Sequence, residues 1–215
     1  MCQPKKKRMI SLGFTEARFE EGQHICYLFA DDRERLGVLA RYLESGRREG
    51  EKLLYLADTM TPAEMLLELE RLGLEVHQSP AAITVTGARD AYCPSGAFAP
   101  DEMLGVVRDF YIQAVEKEGY PGARGTGEMS WCLDKGADRV KLMEYEARLN
   151  QLLAECPCTA CCQYDTRRFP GDVILDVLQV HPLTIVNGQL VRNPFFVKPE
   201  VFLARLRAKN GESPA

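Results

Sequence analysis

Apolar residues in this chain fall into short continuous runs, separated by longer stretches in which they recur every three or four positions. "HICYLFA" (24–30) is such a run and predicts a buried strand. "DDRERLGVLARYLESG" follows, with Leu36, Leu39, Tyr42 and Leu43 at helical spacing and Gly46 placed to end the helix. "EKLLYLAD" (51–58) predicts a second strand. In "TPAEMLLELERLG" Thr61 stands as a cap, Pro62 opens the helix and Gly73 closes it. "AITVTGA" (82–88) is rich in β-branched residues, as a third strand requires.

The same rhythm continues. From Pro100 and Asp101 onward, Met103, Leu104, Val107, Phe110, Tyr111, Ala114 and Val115 form an apolar stripe. "GARGTGEM" (122–129) reads as a glycine-rich fourth strand. A helix is predicted from about Asp138 to Glu155, a fifth strand over "CTACCQYD" (158–165), and a helix near 171–179. The tail changes character: "LTIVNGQLVRN" places Asn187-Gly188 between two apolar runs, a hairpin signal, and "KPEVFLARLRAK" predicts a short helix.

Five alternations of strand and helix imply an α/β fold of three αβα layers, with a mostly parallel sheet and a C-terminal β-hairpin. In such sheets ligands bind beyond the carboxyl ends of the strands. Asp31 and Asp32, Asp58, Arg89 to Tyr92, Glu128 to Trp131 and Gln163 to Asp165 fall there.

Composition narrows the classes. The 215 residues are 46% hydrophobic and 27% charged, enough to bury one sizeable core. A net charge of −4 disfavours direct nucleic-acid binding, which needs a positive surface. Lys5, Lys6, Lys7 and Arg8 are the one basic cluster, expected on a solvated tail. No apolar run reaches the ~20 residues that span a bilayer, and no signal peptide is evident. A cytoplasmic location without membrane contact follows as an expectation, with thiols mostly reduced.

A nucleotide is the obvious ligand for this architecture. A phosphate loop would occupy the turn after the first strand, but "ADDRERLGV" stands there, without a glycine nest or a Lys-Ser/Thr pair. Its two aspartates would repel phosphate. ATP binding and hydrolysis are therefore disfavoured, and Asp31 or Asp32 is expected to cap the first helix.

Several pieces together resemble a known family: "GQHICYLF" (22–29), "GEKLLYLAD" (50–58), "GYPGARGTGEMSW" (119–131), "EYEARLN" (144–150), "CCQYD" (161–165) and "HPLTIVNG" (181–188). Their order is similar to that of the MEDS domain, the methanogen/methylotroph sensory domain of DcmR-type regulators, over about residues 10–200. The resemblance implies a RecA/KaiC-like core that has lost its phosphate loop. It further implies a sensor of small hydrocarbon derivatives or one-carbon compounds, in a family often fused to DNA-binding or histidine-kinase modules. The expected organisation is a flexible segment (1–15), one sensory domain (16–200), and a short helix and tail (201–215). With no output domain predicted, such a regulator would act on a partner: a histidine kinase, a transcription factor or a second copy of itself.

The expected ligand-binding set is Tyr27, Asp31, Tyr92, Arg124, Glu128, Trp131, Tyr164 and His181; no residue is assigned to catalysis. Glu128 could meet a ligand, or pair with an arginine such as Arg124. A divergent ATPase using Glu128 is the enzymatic alternative. Trp131, the only tryptophan, suits an apolar pocket wall and suits the core equally. In "EYE", one of Glu144 and Glu146 must lie nearer the sheet. Cys156, Cys158, Cys161 and Cys162 crowd into "CPCTACC", where three readings stand: structural thiols, a metal ion or iron–sulfur cluster, or a redox switch. On an extended strand Cys161 and Cys162 point to opposite faces, which opposes a four-cysteine site.

Overall fold

A computed structural model describes residues 2–3, 6–78, 80–133 and 138–209. Two short strands, β1 (Met9–Ser11) and β2 (Arg18–Glu20), pair antiparallel. The remaining strands are β3 (His24–Phe29), β4 (Lys52–Ala57), β5 (Ile83–Gly87), β6 (Ala123–Glu128), β7 (Thr159–Asp165), β8 (Leu183–Val186) and β9 (Gln189–Arg192). They form one seven-stranded sheet in the order β5-β4-β6-β7-β3-β8-β9. All pairings are parallel except β8 with β9. The predicted hairpin is present, and its first strand also joins the sheet in parallel beside β3. Asn187 and Gly188 both adopt positive φ, 49° and 67°, which the tight turn requires.

Helices cover both faces. On one lie α1 (Asp32–Arg48) and α2 (Pro62–Arg71). On the other lie α3 (Ala88–Tyr92), α4 (Pro100–Tyr111), α5 (Arg139–Glu155), α6 (Gly171–Val180) and α7 (Pro199–Lys209). A π-helical stretch, Ile112–Lys117, prolongs α4. Side-chain alternation sorts each strand between two cores. Cys26, Cys162 and Tyr164 face α5, whereas Tyr27, Tyr55 and Cys161 face α1.

Local signals explain the helix ends. Asp31 caps α1 through its carboxylate, which accepts the Glu34 N–H at 2.7 Å. Thr61 and Glu64 make a reciprocal capping box on α2, with Pro62 in the first turn.

Two expectations are revised. Gly46 does not end α1, which runs on to Arg48. It lies inside the helix because a Cβ there would stand 2.6 Å from Nε of Arg124 and 2.8 Å from Leu53. The N-terminal segment is also tied down: Ile10 and Leu12 are fully buried against α1, and Arg8 pairs with Glu21 (2.7 Å) and Glu51 (2.5 Å). Lys5 lies outside the described residues.

Candidate functional site

At the carboxyl edge of the sheet, on the α1 side, Glu128 forms the centre of a closed network. Its carboxylate accepts hydrogen bonds from Arg35 Nη1 (2.9 Å), the Tyr55 hydroxyl (2.9 Å) and the backbone N–H groups of Asp58 (3.0 Å) and Thr59 (2.7 Å). Arg35 also donates to Gln163 Oε1 at 2.9 Å and lies over the Phe29 ring. Burial alone would raise the Glu128 carboxyl; the Arg35 guanidinium and the Thr59 contacts outweigh it and hold the group below the usual carboxylate range.

The same helix start is where phosphates would sit in a nucleotide-binding relative of this architecture. Here Asp31 satisfies the helix N-terminus, and Asp32 pairs with Arg167 at 2.8 Å. Protein carboxylates thus occupy the position an anion would need.

Arg124 is not the partner of Glu128. It begins β6 at the opposite edge, fully buried, donating to Glu51 (2.5 Å) and to the carbonyl oxygens of Tyr42 (2.7 Å) and Ser11 (3.1 Å). Tyr27 faces α1 and donates to Glu34 at 3.1 Å. Asp31, as described, is a cap.

Across the sheet, Tyr92, Phe98, Trp131 and Tyr145 make an aromatic cluster. Tyr92 stacks on Trp131 with centroids 4.7 Å apart, and Tyr145 meets both Tyr92 and Phe98 edge-on. Gly127 in β6 admits Tyr92: a Cβ there would lie 2.5 Å from the Tyr92 hydroxyl. Two small cavities flank this cluster. One, of about 50 Å³, is lined by Phe98, Trp131, Leu142, Phe169 and Val173. The other, of about 40 Å³, lies against Gly125 and Gly127, under Leu54, Met103 and Phe110. The Trp131 indole N–H is buried and has no hydrogen-bond partner among the described residues.

A third cluster lies deeper, between the sheet and α5. Glu146 is fully buried, and its Oε1 accepts the Tyr164 hydroxyl at 2.6 Å. Its Oε2 stands 3.1 Å from His24 Nε2 and 3.5 Å from His181 Nε2, with Cys162 Sγ at 3.7 Å. His181 Nδ1 donates to the Val177 carbonyl at 2.8 Å. Burial, with His24 alongside, pushes the His181 imidazole down to about 3, so it is neutral at ordinary pH.

The eight residues expected in one pocket thus fall into separate places: Trp131 lines a cavity with Tyr92 stacked on it, Tyr164 and His181 join the Glu146 cluster, Tyr27, Arg124 and Glu128 are buried on the α1 side, and Asp31 is an exposed cap. The four cysteines do not converge either. Cys156 is disulfide-bonded to Cys2 and so cannot serve as a thiolate ligand. Cys158 is a separate buried thiol, and Cys161 and Cys162 point to opposite faces because consecutive strand residues must. His24, Glu146 and Cys162 were not among the expected ligand-binding residues. The signal was the requirement that one glutamate of "EYE" turn inward; its partners come from residues 24, 162 and 181, which only the sheet order brings together.

The sequence profile of the MEDS family, the methanogen/methylotroph, DcmR sensory domain, matches residues 23–182. The chain belongs to the MEDS family. It carries the sensory domain for which that family is named. Within the wider set of relatives, it is 27% identical over 161 residues to the transcriptional repressor DcmR of Methylorubrum extorquens, covering 74% of this chain and 57% of that protein. The chain therefore spans little more than half the length of this relative. Among solved structures, the MEDS fold is similar to a KaiC-like protein from Pyrococcus horikoshii (TM-score 0.56, 14% identity, 83% and 80% of the two chains). It is equally similar to the flagellar accessory protein FlaH of Methanocaldococcus jannaschii (TM-score 0.56, 11% identity, 79% and 75%). These likenesses establish the RecA/KaiC-like α/β fold. Among the described residues, no helix is long and apolar enough to cross a membrane.

Proposed function

We propose that this MEDS domain senses a small, mostly apolar organic molecule in the Trp131 cavity and passes its occupancy to a regulatory protein, such as a transcription factor or histidine kinase. The observation that carries this is a mostly apolar cavity beside an indole donor: Phe98, Leu142, Phe169 and Val173 supply apolar walls, Asp138 and Arg139 also line it, and the Trp131 N–H has no hydrogen-bond partner among the described residues. Burying a donor without a partner costs roughly 1–3 kcal/mol, which a ligand acceptor would recover. Size supports the same class. A cavity of roughly 150 Å³ takes benzene, so about 50 Å³ leaves room for about two or three non-hydrogen atoms. Halomethanes and short alcohols are of that size. A nucleotide is disfavoured because Asp31 and Asp32 hold the helix start and Arg35 seals Glu128.

The test uses the lone tryptophan. Titration of the full chain with dichloromethane, methanol and ethanol, followed by Trp131 emission and thermal shift, should give saturable binding of at least one. Val173→Leu, which adds a methylene to the cavity wall, should weaken that binding about tenfold or more while leaving the fold intact. Folded protein that none of these compounds stabilises or perturbs would refute the proposal.

A further inference from the structure

We infer that His24, Glu146, Cys162 and His181 form a metal site, taking one divalent ion of the zinc type in a closed, four-coordinate arrangement. This goes beyond ligand sensing and stands on different residues. One ligand atom from each of the four lies within 4.8 Å of all the others, and every one of the four residues is buried.

Four of the six ligand-atom separations approach those of a coordination shell, and the other two lie within 4.8 Å. Zinc bonds of about 2.0–2.3 Å in a tetrahedron place neighbouring ligand atoms about 3.3–3.7 Å apart. Here His24 Nε2 to Glu146 Oε2 is 3.1 Å, His181 Nε2 to Oε2 is 3.5 Å, Cys162 Sγ to His24 Nε2 is 3.5 Å and Sγ to Oε2 is 3.7 Å. Two imidazoles, a thiolate and a carboxylate are also the donors that zinc accepts.

Supporting contacts orient two of the ligands, His181 and Glu146. His181 Nδ1 gives its proton to the Val177 carbonyl, which leaves the Nε2 lone pair aimed at Glu146. A lone pair facing a carboxylate oxygen is repulsive, and Nε2 has no hydrogen-bond partner there. A cation between them converts that opposition into two bonds. The Tyr164 hydroxyl holds the other Glu146 oxygen at 2.6 Å and so turns Oε2 toward the centre. Asn193 donates to the His181 carbonyl at 2.7 Å and fixes the corner that delivers the ring.

Charge closes as well. Thiolate and carboxylate together carry −2, which neutralises a divalent ion in a site without solvent. On binding, the Cys162 thiol releases its proton to solvent, and His24 binds through Nε2, its buried Nδ1 having no hydrogen-bond partner among the described residues. With no open position and no access to water, the site is structural: it joins β3, β7 and the α6–β8 corner to α5.

The experiment refolds the full chain from chelator with Zn²⁺ or Co²⁺, followed by elemental analysis, visible absorption and thermal melting. Wild type should hold one ion per chain, melt higher with metal, and show with Co²⁺ the intense ligand-field bands of a tetrahedral site and a thiolate-to-metal band. Cys161→Ser, one residue away but on the other face, should behave the same. Cys162→Ser should lose the thiolate band, and Tyr164→Phe should weaken affinity about 10–100-fold. If Cys162→Ser does not fold, wild type and Tyr164→Phe still decide the matter. Folded wild type that takes up no Co²⁺, binding unaffected by Tyr164→Phe, or a thiolate band abolished by Cys93→Ser instead would each overturn the site.

Discussion

Glu128 and Arg35 hold each other in a place that solvent barely reaches, and neither is tolerable there alone. Arg35→Met removes the guanidinium and leaves a buried carboxylate, so a loss of about 3–5 kcal/mol is expected in chemical denaturation. The sign with pH follows from the lowered pKa of Glu128. Its stabilising contribution is full above the unfolded carboxyl pKa and is lost as pH falls through the lower folded value. The deficit of Arg35→Met should therefore shrink in acid. A deficit that is constant between neutral pH and pH 3 would show that the pair does not carry it. The sequence offered an arginine for Glu128 but named Arg124; spacing along β6 could not reveal that Arg124 is spent at the other edge on Glu51.

Helix α1 shows what periodicity conveys and what it omits. Its apolar stripe predicted the helix and its buried face, and both are present. Gly46 looked like a terminator because helix propensity alone disfavours glycine inside. Its actual reason is tertiary, the passage of the Arg124 side chain. Gly46→Ala should therefore destabilise, by about 1–3 kcal/mol, despite the roughly 1 kcal/mol that alanine normally contributes to a helix. A raised melting temperature would refute the packing account. The parallel strands and the hairpin were legible for the same reason as α1: each announces itself within a few residues. The Glu146 cluster was not, because its members meet through strand order, which no local pattern encodes.

For the molecule as a whole, the sheet separates two differently built faces. On the α1 face, the helix start and the adjoining strand ends are filled by paired carboxylates and arginines. The α5 face holds the aromatic cavities and the histidine–glutamate–cysteine cluster, so both proposed functions lie on one side. The adjacency of Tyr164 to Phe169, with rings 5.0 Å apart, links them physically, since Phe169 lines the Trp131 cavity. The bond between Cys2 and Cys156 closes residues 2–156 into one covalent ring. A protease that cuts once in the exposed stretch 94–97 would leave two fragments still travelling as one band on a nonreducing gel, parting only when a reductant is added.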